Sequence, residues 1–180
     1  LRSFSDKVNF SAMPLEKIRF FLHGQPQFIY ELYELLMNNV LGVAVAESAD
    51  DPQAVLLGRD CIRPVGFERD EGLLDYSARS PLGYRLLSEY FAFPDKFLFF
   101  DLAGFSPAIL DRIGGVLEVF LLLDRHVQDL EQNVDKDTFQ LGCTPIVNLF
   151  GQRAEPIKLT YTDAEYRVVP DARRPLAGEV

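Results

Sequence analysis

Cysteine and histidine are scarce in this chain, at two residues each, and their placement narrows the possible chemistry further. Cys61 and Cys143 lie far apart and outside any C-x-x-C spacing, so there is neither a zinc site nor a disulfide framework to read. Both sit among apolar or β-type neighbours, where a thiol usually behaves as a small hydrophobe, and a reducing compartment is the simpler fit. His23 and His126 each lack a second ligand-type residue at metal spacing, so neither anchors a metal centre or a catalytic base. Basic charge is also short: 18 Lys and Arg stand against 27 Asp and Glu, for a formal net charge of −9 and a pI of about 4.7. That balance argues against a nucleic-acid partner, whose affinity is built from clustered cations, and Arg173-Arg174 is too small a patch to form a groove. Long hydrophobic runs are missing too. A membrane span needs roughly 18 to 20 apolar residues, whereas the longest candidate, GVLEVFLLLD, contains Glu118 and ends at Asp124.

What is present describes a folding chain. With 180 residues, 48% apolar and 25% charged, it is long enough to bury a sizeable core without a metal or disulfide staple. It opens on Leu1, shows no leader pattern and stops without a closing signal, and so reads as a piece of something longer. Short bulky segments, Lys17–Leu22 and Val40–Ala46, predict strands. Between them Phe28, Leu32, Leu35 and Leu36 recur at helical spacing after Pro26, predicting a helix from Pro26 to Val40. Ala54–Phe67 reads as a second extended run broken by Pro64 and Gly66, and Glu68 to Gly72 as a solvated loop. Ser80-Pro81 predicts a cap and first helical position for a helix reaching Phe91, with Tyr84, Leu87 and Phe91 on one face. Lys96–Asp101 and Val116–Leu123 read as buried strands, Ser106-Pro107 as the start of a short helix, and Arg125–Val134 as a surface helix. The tail from Pro156 to Val169 alternates as two strands about a turn. The expected class is α/β of the α+β kind, a mixed sheet with helices packed on it, divided into a core region over residues 1–150 and a C-terminal strand pair within 151–180.

The densest feature is the run from Tyr90 to Phe105, YFAFPDKFLFFDLAGF, with seven aromatic rings. It spans a helix end, a proline stop and a strand, where rings pack between a helix and the sheet beneath it. Packing into the core is the favoured use for these rings, but seven cannot all point to one side of a two-layer structure, which leaves a partner-facing role open for some of them beside full burial in one chain.

Catalytic patterns are thin. Asp135-Lys136-Asp137 has the spacing of a metal-binding D-x-D, which would suit a hydrolase or transferase, although a solvated turn after the Arg125–Val134 helix is the favoured reading. A carbohydrate- or lipid-binding module would need an exposed aromatic platform, and burial of the Phe97 to Phe100 rings would count against it. No phosphate-loop, dinucleotide, nucleophile-elbow or zinc-protease motif occurs.

Two stretches carry more than pattern. RLLSEYFAFPDKFLFFDL from Arg85 to Leu102, followed by LGCTPIVNLFGQRAEPIKL and EYRVVPDARRP, resembles the TssF family (VasA, ImpG), and IRFFLHG with FIYELYELLMNNV extends the similarity over nearly the whole chain. That resemblance implies a baseplate wedge subunit of a type VI secretion system, a phage-like contractile injection machine. It implies TssG, a second TssF copy, TssE, TssK and the VgrG spike region as partners, at the cytoplasmic side of a Gram-negative inner membrane. It carries over no catalytic residue, no metal and no cofactor. Aromatic and arginine anchors dominate such interfaces, which nominates Phe91, Phe93, Phe97, Tyr166, Arg173 and Arg174 as contact residues.

Overall fold

A computed structural model of the chain describes residues 1–3, 9–77, 79–148, 151, 153–162 and 164–169. They fall into two units, Leu1–Pro145 and Ile146–Val180. The first holds all the named elements. Strand β1 (Lys17–Leu22) leads into helix α1 (Pro26–Asn38), then β2 (Val40–Ala46), β3 (Val55–Gly58) and β4 (Ile62–Pro64). Helix α2 (Leu82–Ala92) precedes β5 (Phe99–Ala103), α3 (Pro107–Leu110), β6 (Glu118–Leu123), α4 (Gln128–Asn133) and β7 (Phe139–Gln140).

The class is α+β, with the strands divided between two sheets. One has the order β4-β5-β1-β7 and the other β3-β2-β6, and every ladder in both is antiparallel. A single apolar core draws on both sheets and on α1, whose Ile29, Leu32, Leu35 and Leu36 are buried at helical spacing beside Leu22, Val43, Val45 and Leu102. Pro26 opens α1, where its missing N–H costs nothing. Strand β5 is buried along its whole length. Its Asp101 stands opposite Arg19 of β1, which donates two hydrogen bonds at 2.7 and 2.9 Å, while Lys17 adds a third at 2.6 Å.

Five expectations need correction. The extended run Ala54–Phe67 is two short strands separated by a 3-10 turn at Arg59–Cys61. Lys96 to Leu98 belong to another such turn, Pro94–Leu98, because Pro94 pre-sets the backbone for a helical start as well as ending α2. Pro81, with extended backbone, takes the N-cap position itself, and no side chain caps the helix. Strand β6 is half-buried to exposed, since β2 flanks it on one side only. In the second unit the described tail residues form no strand. Glu155 N–H donates to the Val169 carbonyl at 2.8 Å, so the two arms meet without a ladder.

Candidate functional site

Helix α2 is turned inside out. Its two charged side chains, Arg85 and Glu89, are 4% and 3% exposed, while Tyr84, Leu87, Tyr90 and Phe91 are 71%, 56%, 52% and 77% exposed. The reason lies in what the helix covers. Residues 66 to 74 form no strand, so their backbone groups have no ladder to join and need other partners. Arg85 supplies them, donating to the carbonyls of Arg69 (2.7 Å), Glu68 (2.6 Å) and Phe67 (3.4 Å). Glu89 accepts from the Leu73 N–H at 2.9 Å and is paired with the ammonium of Lys96, itself 2% exposed. Gly66, at φ +102°, lets the loop lie against Lys96: a Cβ there would stand 3.3 Å from both Lys96 Cε and the Lys96 carbonyl. Charges at positions i and i+4 therefore hold the loop, and the apolar side of the helix is left facing outward.

That outer face borders a groove of about 480 Å³ between α1 and α2, lined by Tyr30 and Tyr33 from α1, Leu86 and Tyr90 from α2, and Phe67 and Phe97. Ring contacts fix its floor. Phe97 lies 5.0 Å from Phe67 and 6.1 Å from Tyr90, centroid to centroid. Tyr33 lines the groove; its hydroxyl is buried without a hydrogen-bond partner among the described residues, and burial pushes its pKa up to about 12. The outer face of α2 carries no charge, and the exposed Glu34, Glu68 and Asp95 adjoin Tyr33, Phe67 and Pro94 of the groove. A surface of this kind suits recognition by shape and apolar area.

The nominated residues are dispersed. Phe91 is fully presented and Phe93 half-buried, whereas Phe97 is buried and serves the groove as a wall. Tyr166 is half-buried in the second unit, its hydroxyl accepting from the N–H groups of Thr160 (3.1 Å) and Tyr161 (2.8 Å). Arg173 and Arg174 lie outside the described residues. Tyr84, Leu87, Tyr30 and Tyr33 were not nominated. The available signal was the pairing of Arg85 with Glu89 one turn apart, opposite the apolar stripe. Phe97, Leu98, Phe99 and Phe100 are all buried, which counts against a carbohydrate or lipid binder built on those rings. Asp135 Oδ1 accepts from the Asp137 N–H (2.9 Å) and the Thr138 hydroxyl (3.2 Å), as in a self-closing turn. Among the described residues no three of His, Cys, Asp and Glu cluster as metal ligands.

A sequence model of the family described as "Type VI secretion system, TssF" matches residues 1–180. The chain belongs to the TssF family. The type VI secretion system component TssF1 of Pseudomonas aeruginosa is 36% identical to it over 173 residues, which make up 96% of this chain and 28% of that protein. The chain thus spans less than a third of the length of this curated TssF relative. A chain in the cryo-electron microscopy structure of a type VI secretion system TssK-TssF-TssG baseplate subcomplex shares its fold, with a TM-score of 0.60 and 22% identity over 93% of this chain and 31% of that one. No helix among the described residues is long and apolar enough to cross a membrane.

Proposed function

We propose that this chain is part of a TssF-type baseplate subunit of a type VI secretion system and works by assembly, with the outer face of α2 and its groove as a docking surface for a TssG-type subunit. The observation that carries the reading is the inverted helix. Exposing four large apolar side chains on one helix has no use for the fold itself, and aromatic residues of this kind are the usual anchors of a protein interface. Family membership and the presence of a fold relative in a TssK-TssF-TssG complex support the same direction. On this reading the chain makes no bonds and needs no cofactor. Its wider contacts, to TssK, TssE, a second TssF and the VgrG spike region at the cytoplasmic face of the inner membrane, belong to the whole subunit.

The test is calorimetry and pull-down of the intact subunit with a TssG homologue. Replacing Leu87 and Phe91 by Asp together is expected to weaken binding at least tenfold, as loss of anchor residues does, with the circular dichroism spectrum unchanged. Unchanged affinity in the folded double variant would remove α2 from the interface.

A further inference from the structure

Gly83 stands on the outer stripe of α2, and the fold around it leaves room for a side chain. It lies in the first turn of the helix, exposed and without a positive φ. A Cβ built there would meet nothing within 4 Å, so alanine or a larger residue fits the chain as it stands. Glycine is also the poorer choice for a helix, because it loses more backbone freedom on folding than alanine does. A position that is open to side chains, costly to the helix and still glycine fits the close approach of another backbone from outside.

The surroundings of Gly83 say what kind of backbone that is. Gly83 lines the groove between α1 and α2 together with Leu86, Leu87 and Tyr90, which follow it at helical spacing and so form one stripe with it. The stripe runs from a notch at Gly83 to the ring of Tyr90, about 10 Å or two turns along the axis. The groove surface is almost wholly apolar, and it offers no strand edge: helices wall it, and Phe67 and Phe97 enter it from a loop and a 3-10 turn. Extended chain buried there would leave its N–H and C=O groups without partners. A helix bonds its own backbone and presents only side chains to the walls.

We propose, on the basis of the docking role given to this face above, that the element seated in the groove is an amphipathic α-helix of the partner, which crosses α2 at Gly83. The two backbones come closest there, and the incoming helix fills the rest of the groove with apolar side chains at positions i, i+3 or i+4, and i+7. The distance between packed helices is set by the side chains at their point of contact. A side chain at position 83 therefore lifts the incoming helix away from Leu87 and Tyr90 as well, so one added group loosens the contacts of the whole stripe.

The experiment titrates the intact subunit with a TssG homologue, comparing Gly83→Ala and Gly83→Leu with the unaltered protein and with the Leu87 and Phe91 double variant. Gly83→Ala is expected to weaken binding about threefold and Gly83→Leu about tenfold or more, with the melting temperature of each unchanged or raised. Hydrogen exchange on the TssG homologue locates the segment protected in the complex, and alanine scanning through it is expected to give losses at every third or fourth residue. Wild-type affinity in Gly83→Leu, with affinity lost in the double variant, overturns the helix at Gly83 and leaves the docking face standing. Wild-type affinity in both removes the docking face and this helix with it. Losses at alternate residues of the partner segment indicate an extended strand and overturn the proposal, as does a lowered melting temperature in Gly83→Ala, which would show that the fold itself needs the glycine.

Discussion

Asp101 shows how a single side chain ties two strands together. It is 5% exposed on β5, and burial alone would push its carboxyl pKa up. Hydrogen bonds from Arg19 and Lys17 outweigh that and leave it below the ordinary carboxylate value. A carboxyl held low in the folded state adds stability above its unfolded value, about 3.9, and loses it as pH falls through the folded one. Asp101→Asn is therefore expected to lower stability at neutral pH. The cost is at the lower end of about 1 to 3 kcal/mol, because Arg19 and Lys17 are half exposed and screened. Urea unfolding across a pH series should show the two proteins converging in acid. Cys61 behaves differently: burial pushes its thiol up, in keeping with its reading as a small hydrophobe.

At the scale of elements, the local signals were the readable ones. β1, β2 and α1 follow from short β-rich runs and from apolar residues at three- and four-residue steps after Pro26, all of which act within a few residues. β7, two residues long, has no such signal and exists only through its pairing with β1. For α2 the periodicity correctly places Tyr84, Leu87 and Phe91 together, yet it cannot say whether that stripe points in or out. The direction is set by the loop at residues 66 to 74, whose carbonyls require Arg85. A reversed ranking of substitutions follows. Phe91→Lys is expected to change stability by less than about 0.5 kcal/mol. Arg85→Leu leaves three carbonyls without their donor and is expected to cost at least about 2 kcal/mol. Thermal unfolding monitored at 222 nm distinguishes this from an ordinary amphipathic helix, for which the order would be the opposite.

For the molecule as a whole, the sequence made the α+β class and the family legible, while the division into two antiparallel sheets depends on pairings between distant residues that periodicity does not encode. Of the candidate contact surface, Phe91 was legible because an aromatic excess implied outward-facing rings. The groove was not, because it needs α1 and α2 side by side. Its thermodynamics follow from its make-up. Association through uncharged rings and leucines buries apolar area, so titration with a TssG homologue is expected to show a negative heat-capacity change. Affinity should vary little between low and physiological salt, since few exposed charges border the face. A steep salt dependence would point to another surface. The inward charges of α2 have one more consequence. Because Arg85, Glu89 and Lys96 secure the fold from beneath, the most exposed residues above them, Tyr84, Leu87 and Phe91, can be exchanged like a faceplate, allowing one scaffold to be retuned to successive neighbours without being rebuilt.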